Sequence, residues 1–202
     1  MNIGALASHE GTTLQAVLDA CATGDIDGKV TVVISNNPES GALRRARAAA
    51  VPAAHLSGKT HPDPAELDRA IRETLEAAGA DIVLLAGYMK KLGPLTLGTF
   101  AGRIINTHPA LLPKHGGQGM YGMHVHRAVL AAGDAISGAT VHHVEGDYDT
   151  GPALAQCQVE VMANDTPETL AQRVQASERR LIVEVLGKLS RDQEITPPRS
   201  AC

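Results

Sequence analysis

The sequence predicts an α/β fold: a mostly parallel sheet with helices on both faces and an antiparallel C-terminal portion. Short apolar runs alternate with longer helical segments along the first half of the chain, which is typical of strand-helix-strand crossovers. The runs VTVVIS (30–35) and IVLLA (82–86) are apolar without a break, as in strands buried on both faces. Beyond Leu130 two strand-like runs follow each other directly, which indicates an antiparallel pair.

Each element of the first half has its own signal. The chain opens on a short apolar strand at 2–7. Apolar residues then recur at helical spacing: Leu14, Val17, Leu18 and Cys21. Pro64 and Gly79 delimit a helix over 64–80, and Pro52 stops the helix before it. The remaining predictions are strands at 30–35, 53–56, 81–87 and 103–108 and a helix at 42–50.

The second half changes rhythm. A helix is predicted at 126–133, and two strands at 137–146 and 153–161 flank the turn-rich DYDTGP. Thr166 can cap a long closing helix over 166–190, with Pro167 in its first turn. Because no repeat or linker divides the chain, residues 1–190 are expected to form a single domain and residues 191–202 a loosely ordered tail.

Composition excludes several classes of function. The chain has 202 residues and a net charge of -4, with 20% charged and 44% hydrophobic residues, as in ordinary globular proteins. Lys and Arg are scattered and aromatic residues are few, so a nucleic-acid partner is not expected. The three cysteines are far apart, no basic leader is present, and no apolar stretch reaches membrane-spanning length. A reduced, cytoplasmic protein without a membrane partner is therefore expected.

Asn106 and His108 end a predicted strand. Because side chains alternate along a strand, both point to one side, and at the carboxyl end they would face the crevice where α/β proteins bind ligands. An amide and an imidazole side by side can donate two hydrogen bonds to one oxygen, as a developing oxyanion requires. Alternatively, Asn106 binds a neighbouring loop and His108 simply precedes a turn.

A carboxylate in EGDYDTGP (145–152) would complete this pair. It would raise the pKa of His108 and keep the imidazole protonated, or relay protons through a water. Asp147 and Asp149 are the candidates. An Asp in a Gly-rich turn, however, commonly serves the turn alone.

The motif Asn-x-His-Pro-x-Leu-Leu-Pro (106–113), followed by Asp-x-Gly-Pro (149–152), resembles the folate-dependent formyltransferases, and the resemblance runs from Met1 to about Leu189. It implies a Rossmann-like formyltransferase fold with Asn106, His108 and Asp149 as catalytic residues, whereas Asp147 does not match. It also implies transfer of a formyl group from the co-substrate 10-formyltetrahydrofolate to an amine, that of glycinamide ribonucleotide in purine biosynthesis. We expect small-molecule substrates and a monomer or homodimer.

The resemblance further implies two groups of binding residues. The ribonucleotide group comprises Gly11, Thr12 and Thr13, whose backbone N–H groups at a helix start can hold a phosphate, together with Gln175 and Glu178 on one face of the last helix. The folate group comprises Tyr88, Met89, Lys90, Lys91, Leu92, His142, His143, Val144 and Glu145. Without a ligand role, the residues near Tyr88 would be core or lid residues and the pair on the last helix a solvated face.

Three features leave alternatives open. His9 and Glu10 replace small residues of the family's phosphate loop, and a carboxylate beside a phosphate is unfavourable unless it turns away, so a different amine acceptor is the alternative. The Gly-rich segment 114–123 (KHGGQGMYGM) is a lid over the substrate or a plain insertion. Histidines are dense in one third of the chain: His108, His115, His124, His126, His142 and His143. No metal site is expected, because 142 and 143 are adjacent on a strand and 124 and 126 lead into a helix.

Other functions of the same core are less expected. A methionyl-tRNA formyltransferase would need a basic C-terminal domain, and a formyltetrahydrofolate hydrolase an N-terminal regulatory domain. A non-catalytic folate- or nucleotide-binding module is a different class, and it would not need Asn106, His108 and Asp149 together.

Overall fold

The computed structural model describes residues 1–191, in two compact units that meet in the chain between Asn106 and Thr107. The first unit contains β1 (Asn2–Leu6), α1 (Thr12–Thr23), β2 (Lys29–Ser35), α2 (Gly41–Ala48), β3 (Ala53–His55), α3 (Pro64–Ala77), β4 (Ile82–Leu85) and α4 (Pro94–Thr99). Strand β5 (Ile104–His108) runs across the boundary. The second unit continues with α5 (Met123–Ala131), β6 (Ile136–His143), β7 (Ala153–Glu160) and α6 (Pro167–Ser190).

The first unit is built on parallel strands. β1 pairs with β2 and β4, β2 with β3, and β4 with β5, all in parallel. The hydrogen-bonded order of the strands in this unit is β3-β2-β1-β4-β5. Helix α1 contacts α2 and α3 contacts α4, as expected when right-handed crossovers set the first pair on one face of the sheet and the second pair on the other. The predicted mostly parallel α/β sheet is thus confirmed.

The continuous apolar runs form the core of this sheet. Ile34 on β2, Leu84 on β4 and Ile105 on β5 are fully buried. Burying each such side chain stabilises the fold by about 1.5–3 kcal/mol relative to leaving it in water. The strand order reverses between β1 and β4, so the carboxyl ends of these strands form the crevice that α/β proteins use for ligands.

The short helix α4 was not predicted from the sequence. Its N-terminus is capped by Asp68 on α3, whose carboxylate accepts hydrogen bonds from the backbone N–H of Leu95 (2.7 Å) and Thr96 (3.1 Å). The Thr96 hydroxyl donates to the same carboxylate at 2.6 Å. Because the capping side chain comes from a distant part of the chain, no local capping signal precedes Pro94.

The second unit carries the antiparallel portion. β6 and β7 pair from Ile136 opposite Glu160 to His142 opposite Ala153, with a register shift between Val141 and His142. Helix α6 packs on both strands and on α5. Thr166 caps α6 in a reciprocal capping box with Thr169, and Pro167 occupies the first turn, as the sequence predicts.

Two expectations concern the chain as a whole. Among residues 1–191, no helix is both long and apolar enough to cross a membrane. The single domain over 1–190 stays a prediction. Except for Arg191, the predicted tail lies outside the described residues.

Candidate active site

Strand β5 positions the first two candidate residues. Asn106 and His108 are two residues apart on this strand, so their side chains leave it on the same side, and Thr107 points to the other. Thr107 is mostly buried, and its hydroxyl donates a 2.7 Å hydrogen bond to Oε1 of Glu178 on α6. Glu178 therefore supports β5 on the face opposite to the one that His108 uses.

His108 is buried and held through both ring nitrogens. Its Nε2 donates to the main-chain carbonyl of His115 at 2.8 Å. Its Nδ1 lies 3.4 Å from Oδ2 of Asp149. Of the two candidate carboxylates, the structure places Asp149 beside this imidazole, whereas Asp147 is exposed.

Asp149 sits in a tight turn between β6 and β7. Its φ is 57°, in the left-handed region that Asp tolerates better than most residues. The backbone N–H of Gly117 donates to Oδ2 at 3.0 Å, and Nε2 of His142 lies 3.5 Å from Oδ1. The turn also needs Gly151, because a Cβ there would lie 1.9 Å from the carbonyl oxygen of His143. The Gly-rich segment 114–123 therefore contacts the Asp149 carboxylate through its backbone.

The electrostatics of the pair differ from the sequence expectation. Burial lowers the pKa of His108 below its ordinary value, although Asp149 and the His115 carbonyl act to raise it. Burial alone would raise the pKa of Asp149, but the hydrogen bond from His142 and the charge of His108 lower it instead. Asp149 acts on the His108 pKa in the expected direction, but the desolvation of the imidazole is the larger effect, so the net shift is downward rather than upward.

A polar network holds the chain just after His108. The Thr140 hydroxyl on β6 donates to the carbonyl of Ala110 (2.7 Å) and accepts from the N–H of Leu112 (3.1 Å). Gln156 on β7 donates to the carbonyl of Leu112 at 2.9 Å and to the Thr140 hydroxyl at 3.0 Å. Sequence reasoning missed both polar residues. They are far apart in the sequence, and they reach the loop after His108 together only because β6 and β7 pair with each other.

In the first unit, the loop after β1 leads into the N-terminus of α1. Gly11 caps this helix at φ 68°, and no side chain makes a capping hydrogen bond there, so an anion can bind backbone N–H groups of the first turn. Glu10 turns toward α2, where its Oε2 lies 3.4 Å from Arg44 and its carbonyl accepts from Nε of Arg45 at 2.8 Å. The Glu10 carboxylate is thus paired with the Arg44 guanidinium and turned away from the loop.

The segment 88–92 lies at the same edge of the first unit. The N–H of Met89 donates to the hydroxyl of Ser8 at 2.8 Å, and that hydroxyl donates to Asn36 at 2.6 Å. Burial raises the pKa of Tyr88 to about 12, and Leu92 is buried while Met89 is 37% exposed. A cavity of about 570 Å³ opens here, and its lining contains three lysines and one carboxylate besides neutral polar groups: Asn36, Lys59, Asp68, Tyr88, Lys90 and Lys91.

The remaining candidates lie in the second unit. His142 is buried against Asp149, so the structure places it beside the proposed catalytic carboxylate. His143 and Val144 are half-buried, whereas Glu145 and Gln175 are exposed. Within residues 1–191, no group of three His, Cys, Asp or Glu side chains is arranged to hold a metal ion.

Comparison with known proteins matches nearly the whole chain. The sequence profile of the formyl transferase family covers residues 1–186. The phosphoribosylglycinamide formyltransferase of Escherichia coli (strain K12) is 38% identical over 181 residues, which is 90% of this chain and 83% of that protein. The chloroplastic phosphoribosylglycinamide formyltransferase of Arabidopsis thaliana is 38% identical over 192 residues. That match covers 95% of this chain and 66% of the plant protein, so this chain spans slightly less than two thirds of that relative.

A solved structure shows the same fold. Glycinamide ribonucleotide transformylase 1 from Symbiobacterium toebii superposes with a TM-score of 0.91 at 39% identity, over 98% of this chain and 92% of that chain. The chain therefore belongs to the formyl transferase family and, within it, to the phosphoribosylglycinamide formyltransferases.

Proposed function

We propose that the protein transfers the formyl group of 10-formyltetrahydrofolate to the amine of glycinamide ribonucleotide, a step of de novo purine biosynthesis. Membership of the family and the names of its relatives support the reaction and the acceptor. The observation that carries the chemistry is the Asp149 carboxylate, whose oxygens face imidazole nitrogens of His108 and His142. A module that only binds folate or nucleotide has no need for this arrangement.

Asn106 and His108 supply the electrophilic side of the reaction. When the amine attacks the formyl carbon, the formyl oxygen gains negative charge, and two donors on the same side of β5 can bind it. Because Nε2 of His108 already donates to His115, Nδ1 is the nitrogen that takes up the proton released by the attacking amine, and once protonated it donates to the formyl oxygen. The developing negative charge favours that protonated form. Loss of one such donor costs about 3 kcal/mol of transition-state stabilisation.

Asp149 and the two imidazoles handle the proton that the amine loses. The Nδ1 of His142 donates to the carbonyl of His143 at 2.8 Å, so this ring, like that of His108, presents its other nitrogen to Asp149. A proton taken up on either facing nitrogen is stabilised by the carboxylate between them. The proton can then pass to the folate nitrogen as it leaves. Acid-base catalysis of this kind contributes roughly 10²- to 10⁴-fold in rate.

The first unit offers features that suit both substrates. A phosphate fits the N-terminus of α1, where Gly11, Thr12 and Thr13 present backbone N–H groups, and where Glu10 is paired with Arg44. The glutamate carboxylates of a folate suit the basic residues of the cavity near Tyr88, namely Lys59, Lys90 and Lys91. Gln175 and Glu178 for the ribonucleotide, and residues 142–145 for the folate, stay predictions, as do the cytoplasmic location and the monomeric or dimeric state.

The test is an activity assay with matched variants. Purified protein is mixed with 10-formyltetrahydrofolate and glycinamide ribonucleotide, and release of tetrahydrofolate is followed. We expect turnover that depends on the ribonucleotide, a loss of roughly 10²-fold or more in kcat for Asp149→Asn, and little change for Asp147→Asn, two residues away. Turnover only with another amine would identify a different acceptor. Formate release without any amine would indicate a hydrolase, and full activity of Asp149→Asn would refute the catalytic assignment.

A further inference from the structure

One histidine outside the proposed catalytic set touches it directly. His115 lies in the Gly-rich segment at φ 56°, and its main-chain carbonyl accepts the hydrogen bond from Nε2 of His108. Because a carbonyl oxygen can only accept, this contact requires that His108 carry its hydrogen on Nε2. Nδ1 is then the nitrogen that faces Asp149 and exchanges a proton.

The side chain of His115 anchors that carbonyl. Its Nε2 donates to Oδ2 of Asp134 at 2.6 Å, and the two side chains are 12% and 13% exposed. Asp134 lies between the end of α5 and the start of β6, and its own N–H donates to the carbonyl of Val129. Lys114 binds the other carboxylate oxygen. Asp134 thus has two side-chain partners, of which only His115 leads to His108.

An anchor is needed at this position for a physical reason. A left-handed backbone is unfavourable for a residue with a side chain, and it persists when surrounding contacts enforce it. The segment after His115 contains Gly116, Gly117, Gly119 and Gly122, which restrict the backbone little. The contact with Asp134 therefore holds the His115 carbonyl more firmly than the neighbouring chain can.

We propose that His115 is a positioning residue for His108: anchored by Asp134, it holds its own carbonyl where it selects the Nε2–H form of the His108 ring. The inference rests on the proposed function, because it assigns proton transfer beside Asp149 to Nδ1 of His108. The selection of the ring form itself, however, is a property of the protein alone and can be measured without substrate.

Four variants separate this role from simple packing. His115→Phe removes the donor but keeps a ring, which has room because a cavity of about 210 Å³ with apolar lining from Leu111, Val129 and Ile136 adjoins it. Asp134→Ala removes the acceptor and leaves His115 in place. His115→Gln restores a donor at a similar reach. Lys114→Met is the matched control, since it removes the other partner of Asp134.

The decisive readout is ¹⁵N NMR of the His108 imidazole, above the pH at which that ring titrates. The wild type, His115→Gln and Lys114→Met should show a hydrogen on Nε2, and His115→Phe and Asp134→Ala a mixture of the two ring forms. In the last two variants kcat should fall about tenfold, as expected on losing a group that orients a functional imidazole. The KM for folate should stay within about twofold, since substrate contacts are unchanged.

Several results would overturn the inference. A hydrogen on Nδ1 in the wild type, or unchanged Nε2–H in both disrupting variants, is incompatible with it. If those variants fail to fold by circular dichroism, a scalar coupling across the hydrogen bond from His108 Nε2 to the His115 carbonyl in the wild type decides, and its absence refutes the role. If the ring forms change as expected but no formyl transfer occurs in any protein, the proposed function fails while the positioning role stands.

Discussion

Nε2 of His142 lies 3.5 Å from Oδ1 of Asp149, on the carboxylate oxygen opposite to the one that faces His108. The carboxylate therefore has an imidazole at each oxygen, and both rings are almost fully buried. Because the negative carboxylate is close to both rings, it attracts positive charge on either ring. The resemblance in the sequence assigned His142 to a pocket wall, and the structure adds a role beside the proposed catalytic carboxylate.

His142→Asn tests that added role. We expect kcat to fall by roughly 10- to 100-fold, since the second imidazole that can hold the amine's proton is lost. The pKa of Asp149 should rise toward its ordinary value, because the hydrogen bond from His142 helps to lower it. Steady-state kinetics and a ¹³C NMR titration of the Asp149 carboxyl measure the two effects. The control is His124→Asn on the exposed side of α5. If the kcat of His142→Asn equals that of the wild type, His142 has no role in the reaction.

The stability of the protein should depend on pH through His108. Because burial lowers the pKa of this imidazole, the unfolded chain binds its proton more readily than the folded protein does. The free energy of unfolding should therefore be highest above the ordinary histidine pKa of about 6.5 and fall as the pH drops below it. Between about pH 7.5 and about pH 5.5, urea unfolding should show a larger loss for the wild type than for His108→Gln.

The comparison isolates His108 for a specific reason. Burial, the larger cause, lowers the pKa of His126 in both proteins, and only the smaller effect of the His108 charge on His126 differs between them. Equal losses in the two proteins would mean that His108 binds protons equally in the folded and unfolded states.

Gly151→Ala should damage the turn that carries Asp149. The added Cβ would lie 1.9 Å from the carbonyl oxygen of His143, and this backbone atom belongs to the end of β6 and cannot move freely. We expect a loss of about 2–4 kcal/mol in the free energy of unfolding and a lower kcat, because the carboxylate shifts. The control is Gly98→Ala in α4, where a Cβ meets no atom within 4 Å. A Gly151→Ala protein as stable and active as the control would show that the turn can adjust.

Gly11→Ala should separate phosphate binding from helix stability. At Gly11 a Cβ would lie 2.8 Å from Cα of Ala42, and the backbone is left-handed at φ 68°. Gly24, at the other end of α1, has φ 83° but open space around it, so Gly24→Ala imposes only the backbone cost of about 1 kcal/mol. We expect Gly11→Ala to be the less stable protein and to raise the KM for the ribonucleotide. Equal KM values would argue against a phosphate at this helix start.

The elements that the sequence predicted well are those with a local cause. The apolar runs at β2 and β4 are buried strands because their continuous hydrophobicity suits a sheet covered on both faces. Helix α6 begins at Pro167 because Thr166 caps it from the adjacent position. Helix α4 escaped prediction because its capping carboxylate, Asp68, comes from α3.

The same division holds for the candidate site. The motif named Asn106, His108 and Asp149, and strand alternation alone places the first two on one side of β5. The protonation of His108 could not be predicted, because a nearby carboxylate and burial shift its pKa in opposite directions, and only the packed structure shows that burial prevails. The contact between His115 and Asp134 likewise had no signal in the sequence.

By itself, the sequence determined the candidate catalytic side chains, the order of strands and helices apart from α4, and the membership of a formyltransferase family. These properties follow from local sequence patterns, that is, from which residue types lie a few positions apart along the chain. The tertiary structure decided which imidazoles share Asp149, which nitrogen of His108 carries the hydrogen, and how strongly that ring is desolvated. Those properties depend on groups that are distant in sequence and become neighbours only when the β6–β7 hairpin closes and the Gly-rich segment folds against it.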